Sequence, residues 1–240
     1  MRLSNYRWLW SLVLTLMWGS VLSAQGAPSL TPGTTPRIVQ TVTASSPVAT
    51  AKRHTDKGIE NAPVNIALFR WINGHHTPAL DWFFLLYSYL GMGYVVVPVL
   101  LYAWFWRRPM LWPLIIALLV ETALVLVLKN AIDQPRPVMV LPDVRLLIKL
   151  RYYSFPSGDA AMAFVIAAVM QQGERLHGKL LWWGYAVLIA YERVYVGVHF
   201  PLDVAAGAIL GVWSARGAFF ALRLHAAKRE RALPEKPSDV

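Results

Sequence analysis

Between residues 78 and 222 the apolar residues fall in long, nearly charge-free blocks, and this layout restricts the chain more than any motif it carries. The blocks cover roughly 78–106, 110–128, 158–170, 180–194 and 202–222. A hydrocarbon core offers no water to backbone N–H and C=O groups, so such blocks cross it as helices, and about 20 residues make one crossing. The expected fold is all-α: a polytopic transmembrane helical bundle of about five core spans. Composition agrees, since only 15% of residues are charged, against about 25% in soluble domains. The two shorter blocks adjoin polar residues and fit helices buried in a bundle, which need not have full lipid-facing length. Gly91 and Gly93 interrupt the first block. It reads either as a short helix over 80–90 leading into a span over 93–106, or as one long tilted helix.

The remaining stretches set the domain boundaries. Arg2 and Arg7 precede an apolar run over 8–22, and small residues follow at Ser23, Ala24, Gly26 and Ala27. Residues 1–27 thus form a signal peptide or, because bulky Leu22 sits where a small residue is preferred for cleavage, a retained signal anchor. Residues 28–63 are rich in Pro, Ser, Thr and Ala without periodicity, which reads as a flexible extracytoplasmic linker. Residues 64–222 form the membrane domain, opening on a short amphipathic interfacial helix over 64–73. Residues 223–240 form a basic cytoplasmic tail.

The formal net charge of +10 fits basic residues retained on the cytoplasmic side of a membrane protein. Nucleic-acid binding is disfavoured, because the cations are scattered among apolar blocks and form no stripe. Zero cysteines exclude a disulfide scaffold, a thiolate metal site and a cysteine nucleophile. Arg107 with Arg108, Arg175 with Lys179, and the C-terminal cluster mark the cytoplasmic face. The segments 129–157 and 195–201 then share the outer face. The first of these carries Lys129, Arg136, Arg145, Lys149 and Arg151, against the positive-inside tendency. A local rule broken without a local cause often marks a functional site.

Three outer segments concentrate polar chemistry: Lys129 to Pro137, Phe155 to Asp159, and Arg193 to Asp203. Lys129, Arg136 and Arg193 supply fixed positive charge, and arginine grips two phosphate oxygens with its planar fork. Prolines flanking Arg136 hold that loop extended. Ser157 and Gly158 start a predicted helix, where open N–H groups and the helix dipole favour an anion. His199 and Asp203 bracket Pro201, placed for the first turn of the last helix. An aspartate beside a histidine fixes its tautomer and aims its other nitrogen at a substrate. The set suits a phosphate.

These residues resemble the signature of the type 2 phosphatidic acid phosphatase and vanadium haloperoxidase superfamily: Lys-x6-Arg-Pro, then Pro-Ser-Gly-His, then Ser-Arg-x5-His-x3-Asp. Lys129, Arg136 and Pro137 match the first motif. Pro156, Ser157 and Gly158 match the second, and Arg193, His199 and Asp203 match the third. The resemblance covers roughly residues 80–222. It implies that His199 attacks phosphorus to give a phospho-histidine, that Asp203 orients it, and that Lys129, Arg136, Ser157, Gly158 and Arg193 bind the phosphoryl oxygens. It implies no metal and no cofactor. There are two departures: Glu192 stands where the family has Ser, and Asp159 where it has the His that protonates the leaving oxygen. General acid catalysis is worth about 10²–10⁴-fold, and an aspartate donates only if held protonated, which the sequence does not decide. The resemblance therefore leaves open a weakly active or non-catalytic lipid-phosphate-binding relative.

Other residues take plainer readings. Arg145, Lys149 and Arg151 read as a solvated basic loop meeting lipid head groups. His75 and His76 lack nearby carboxylates and read as an interfacial cap more readily than a metal pair. Glu121, inside an apolar block, reads as facing the bundle interior. Glu192 either pairs in the neighbourhood of Arg193 or stays exposed, and is assigned no role. Tryptophans near span ends form the expected aromatic belt. The expectation is a membrane lipid phosphatase of a bacterial inner membrane, active site toward the periplasm, with undecaprenyl diphosphate as first-choice substrate. Phosphatidic acid, phosphatidylglycerol phosphate and a lipid A phosphate are the alternatives, and the sequence does not give the oligomeric state.

Overall fold

The computed structural model describes residues 62–148 and 153–231. The signal segment, all of the linker before Ala62, Lys149, Arg151 and the end of the basic tail lie outside them. Every regular element among the described residues is helical.

The amphipathic stretch forms α1 (Pro63–Gly74), started by a proline in its first turn. Helix α2 (Pro78–Ser88) is capped by Thr77, whose side chain accepts from the Leu80 N–H. Two short 3₁₀ turns at Tyr89–Gly91 and Gly93–Val95 lead into α3 (Val96–Trp106). The glycine-interrupted block is thus the broken form rather than one tilted rod, with its halves bent by 57°. Gly91 sits at the elbow, where a Cβ would lie 3.2 Å from Ile189 Cδ1.

Helix α4 (Arg108–Ile132) stops at Asp133, which adopts φ 51°, ψ 38°, a left-handed geometry that Asp tolerates better than most residues. A single turn, α5 (Pro137–Val140), follows Arg136. Helix α6 (Gly158–Met170) is the centre of the bundle and is buried along almost its whole length. Its alanines at 160, 161, 163, 167 and 168 let neighbours approach on every side, as small residues do in membrane bundles. Helix α7 (Leu176–Tyr195) packs on one flank and α8 (Pro201–Arg231) on another.

The α6–α8 contact is the tightest. A Cβ on Gly207 would lie 2.3 Å from the Ser157 carbonyl oxygen, and one on Gly211 would lie 2.2 Å from that of Ala161. Backbone therefore rests on backbone, and the start of α6 is fixed against the start of α8.

By length and composition, two helical stretches among the described residues can cross a membrane, 108–140 and 201–231, or three if the bent pair is one span. The other two apolar blocks form α6, too short at 13 residues, and α7, of 20 residues, whose polar end carries Glu192 and Arg193. At one end of the bundle Arg107 donates to Glu174 and to the Gln172 carbonyl, joining two of the basic turns. The three motif segments gather at the opposite end. The helix following Pro201 outlasts its apolar block and carries part of the basic tail to Arg231.

The motif end is held by α1. Asn73 Nδ2 donates to the carbonyls of Arg145 and Tyr195, both at 2.8 Å, and its Oδ1 accepts from the Arg145 N–H. Asn65 Oδ1 accepts from Leu202 N at 3.1 Å, at the first turn of α8. Gly197, at φ +84°, completes the turn after α7, where a Cβ would lie 2.5 Å from the Arg145 carbonyl. Both the left-handed φ and the space demand glycine. Arg145 is not a solvated head-group contact. Its guanidinium donates to both Asp81 oxygens, and Tyr195 Oη donates to Asp81 Oδ1 at 2.8 Å. An acidic partner from α2, invisible in local sequence, captures it.

Candidate active site

His199 lies in the turn between α7 and α8, and only 3% of it is exposed. Its N–H and that of Val198 reach the Arg193 carbonyl at the end of α7, each at 3.3 Å. The turn is thereby anchored to the helix that carries Arg193.

The two ring nitrogens meet different environments. Nδ1 faces Asp203 Oδ2 at 3.6 Å and Ser154 Oγ at 3.5 Å. Ser154 in turn donates to Asp203 Oδ2, filling the corner between ring and carboxylate. Nε2 faces Arg136 Nη1 at 3.5 Å, and that nitrogen donates to the Val198 carbonyl at 2.7 Å. The arrangement suits the tautomer with hydrogen on Nδ1 and the lone pair on Nε2, aimed toward a guanidinium. Burial, reinforced by the positive charges of Arg136 and Lys129 and only partly opposed by Asp203, pushes the imidazole pKa down to about 4. A neutral ring with an open lone pair is the nucleophilic form.

Asp203 is fully buried. Pro201 starts α8, and Asp203 falls at the third position, where its Oδ2 reaches back to the Phe200 N–H at 2.9 Å. This is the acidic half of a capping box. Gln134 Nε2 donates to Oδ1 at 2.8 Å, and with Ser154 it gives the carboxylate three protein donors. A buried carboxylate needs such partners to stay charged and oriented. The Ser154 N–H also bonds the Gln134 carbonyl, and the Ser157 N–H bonds the Asp203 carbonyl, at 2.9 and 3.0 Å. Backbone thus ties the second segment to the third directly and, through Ser154 just ahead of it, to the first.

Ser157 caps α6, its Oγ accepting from Ala160 N at 3.4 Å. The next two N–H groups, of Gly158 and Asp159, belong to the first turn, which an α-helix leaves without internal partners. Arg193 stands beside this turn. Its Nε and Nη2 donate to the two oxygens of Glu192, and its Nη1 donates to Asp159 Oδ2 at 2.8 Å. Lys129 Nζ donates to the Tyr153 carbonyl at 2.7 Å and lies within electrostatic reach of Arg136, Asp159 and Asp203.

The fold thus brings Lys129, Arg136, Ser157, Gly158, Asp159, Arg193, His199 and Asp203 to one end of the bundle. Two residues escaped the sequence reading. Gln134 and Ser154 hold Asp203, and each sits inside or beside a motif without a pattern of its own. Glu192, given no role, is fully buried against Arg193. A carboxylate in an apolar helix next to an arginine was the available signal. Glu121 faces the interior. His75 lies past the end of α1, with its ring nitrogen on the Trp71 carbonyl, as a cap does. Among the described residues no group of three or more His, Asp or Glu is arranged to hold a metal ion.

A model of the PAP2 superfamily matches residues 110–226. The undecaprenyl-diphosphatase of Sulfolobus acidocaldarius is 36% identical over 159 residues, covering 65% of this chain and 77% of that protein. The crystal structure of Aquifex aeolicus LpxE aligns with a TM-score of 0.66 at 49% identity, over 67% of this chain and 98% of that one. A PAP2-type phosphatidylglycerolphosphate phosphatase from Bacillus subtilis shares the fold, with a TM-score of 0.57 at 20% identity over 75% of this chain and 92% of that one. Apolar helices and these likenesses define a membrane lipid phosphatase, a hydrolase. The chain belongs to the PAP2 superfamily.

Proposed function

We propose that the protein hydrolyses undecaprenyl diphosphate at the periplasmic face of a bacterial inner membrane, by way of a phospho-histidine. The observation that carries this reading is His199, held at Nδ1 by Ser154 and Asp203 with Nε2 turned to Arg136 Nη1 at 3.5 Å. His199 Nε2 bonds to the terminal phosphorus as the bridging P–O bond breaks. Lys129, Arg136, Arg193 and the start of α6 at Ser157 and Gly158 stabilise the charge gathering on the phosphoryl oxygens. Asp159 stands beside Arg193, where, once the phosphoryl group displaces it, it is placed to pass a proton taken up from water to the leaving oxygen. In the second half, water attacks phosphorus as the Nε2–P bond breaks, its proton passes to the Asp159 carboxylate, and inorganic phosphate leaves His199 free. The lipid monophosphate expelled from a diphosphate is a better leaving group than an alkoxide and asks less of the acid, which suits an aspartate where the family has histidine. The likeness to an undecaprenyl-diphosphatase supports the same choice.

Purified protein in detergent, with a chelator and no added metal, should release phosphate from undecaprenyl diphosphate faster than from phosphatidic acid, phosphatidylglycerol phosphate or lipid A phosphates. A different order of turnover would reassign the substrate, and no release from any of them would leave a binding protein.

The proposed domain limits follow from composition, and the topology follows from charge. The starts of α4 and α7 and the end of α8 share the end of the bundle that carries Arg107, Arg175 and Lys228, which the positive-inside tendency assigns to the cytoplasm. Met139 is well exposed at the other end. Because the chain has no cysteine, Met139→Cys should be labelled by a membrane-impermeant maleimide added to intact spheroplasts. Labelling only after lysis would reverse the topology.

A further inference from the structure

Arg193 has five N–H donors, and three are already taken by carboxylate oxygens. The two carboxylates differ in kind. Glu192 is the preceding residue on the same helix, its side chain is 0% exposed, and it engages Nε and Nη2 together. This two-point grip fixes the plane of the guanidinium. Asp159 comes from α6, keeps 37% of its side chain exposed, and holds Nη1 through one oxygen. It also lies in the first turn of α6, the place where an anion is best received.

We propose that Asp159 is a built-in stand-in for phosphate, occupying Nη1 of Arg193 until a phosphoryl group displaces it, while Glu192 keeps the guanidinium aimed. The inference rests on the reading of Arg193 as a ligand of the phosphoryl oxygens. Its chemistry is competition between anions. A carboxylate oxygen and a phosphoryl oxygen accept the same Nη1 hydrogen, and a second negative charge nearby opposes entry of a dianion. The resting site is also close to charge balance: Lys129, Arg136 and Arg193 stand against Asp159, Glu192 and Asp203. Weak or singly charged anions gain little by entering, whereas a dianionic phosphoryl group outcompetes one carboxylate. Once displaced, the Asp159 carboxyl lies free beside the leaving oxygen.

The test is tungstate, a dianionic oxyanion, titrated into the purified full-length protein in detergent and read by calorimetry. Asp159→Asn should bind tungstate at least about fivefold more tightly than wild type, and Asp159→Ala at least as tightly as Asp159→Asn. Phosphate release should fall in both variants. Tighter anion binding with slower turnover is a split that misfolding does not produce, since damage to the site weakens both. Unchanged or weaker tungstate binding in both Asp159 variants overturns the proposal. Arg193→Lys separates the underlying reading. It should weaken tungstate binding, and if it does not, Arg193 is no anion ligand and the stand-in falls with it.

Discussion

Replacing His199 by glutamine is expected to lower phosphate release by at least about 10⁴-fold, the order seen when a covalent nucleophile is removed. Glutamine keeps a donor and an acceptor in nearly the same volume but has no nucleophilic nitrogen. The bundle should therefore persist while turnover disappears. Rapid quench of wild type with substrate carrying labelled terminal phosphate should trap an acid-labile phosphoprotein, and the variant should trap none. Turnover by the variant within about tenfold of wild type would remove His199 from the nucleophile's place.

The same residue sets an expected pH dependence. An ordinary histidine titrates near 6.5, but burial moves His199 down to about 4. The neutral ring is the reactive form, so kcat/KM should show no acid limb near the ordinary value and should fall only as pH approaches the depressed one. An acid limb at the ordinary histidine value that vanishes in no other site variant would contradict this. For stability the sign follows from proton counting. Between about 4 and 6.5 the unfolded chain binds the His199 proton and the folded chain does not, so this group's contribution to stability rises with pH through that window.

The second large effect is structural in origin. Gly207→Ala puts a methyl group 2.3 Å from the Ser157 carbonyl oxygen, a backbone atom in the first turn of the central helix. No rotamer relieves it, so α6 and α8 must separate, at a cost of about 2–3 kcal/mol. Because Ser157 and Gly158 begin α6 and Asp203 begins α8, separation also displaces the cationic cradle relative to His199. A misplacement of about 1 Å can cost about 10²-fold in rate. Loss of thermal stability in detergent and loss of phosphate release are expected together. Gly217→Ala, on the same helix with nothing within 4 Å of the new methyl, should be neutral or slightly stabilising. If the two variants behave alike, the close α6–α8 contact does not govern the site.

Much of this architecture was legible because membrane burial and motif spacing leave strong local traces. The block over 158–170 became α6 with the same limits, since Ser157 is a standard N-cap and the run after it is uninterrupted. The glycines at 91 and 93 announced an interruption, and the backbone took the broken option at the place where Ile189 crowds Gly91. The motif residues were visible by type and spacing. What supports them was not. Gln134 and Ser154 bind Asp203 from positions 69 and 49 residues away, and Asp81 holds Arg145 across 64. Contacts at such separation leave no period in the sequence. Arg145 was misread for this reason: its basic neighbours were local and its acidic partner was not. For Glu192 the sequence leaves pairing near Arg193 and exposure both open, and the fold takes the pair.

The Asn73 clamp has a practical corollary for anyone trimming or grafting this enzyme. The family match begins at residue 110, yet the side chains that tie down the motif-end turns at Arg145, Tyr195 and Leu202 come from Asn65 and Asn73, well upstream of it. A fragment cut at the family boundary would carry every motif residue and lack the strap across them. The smallest transplantable unit accordingly starts no later than Asn65.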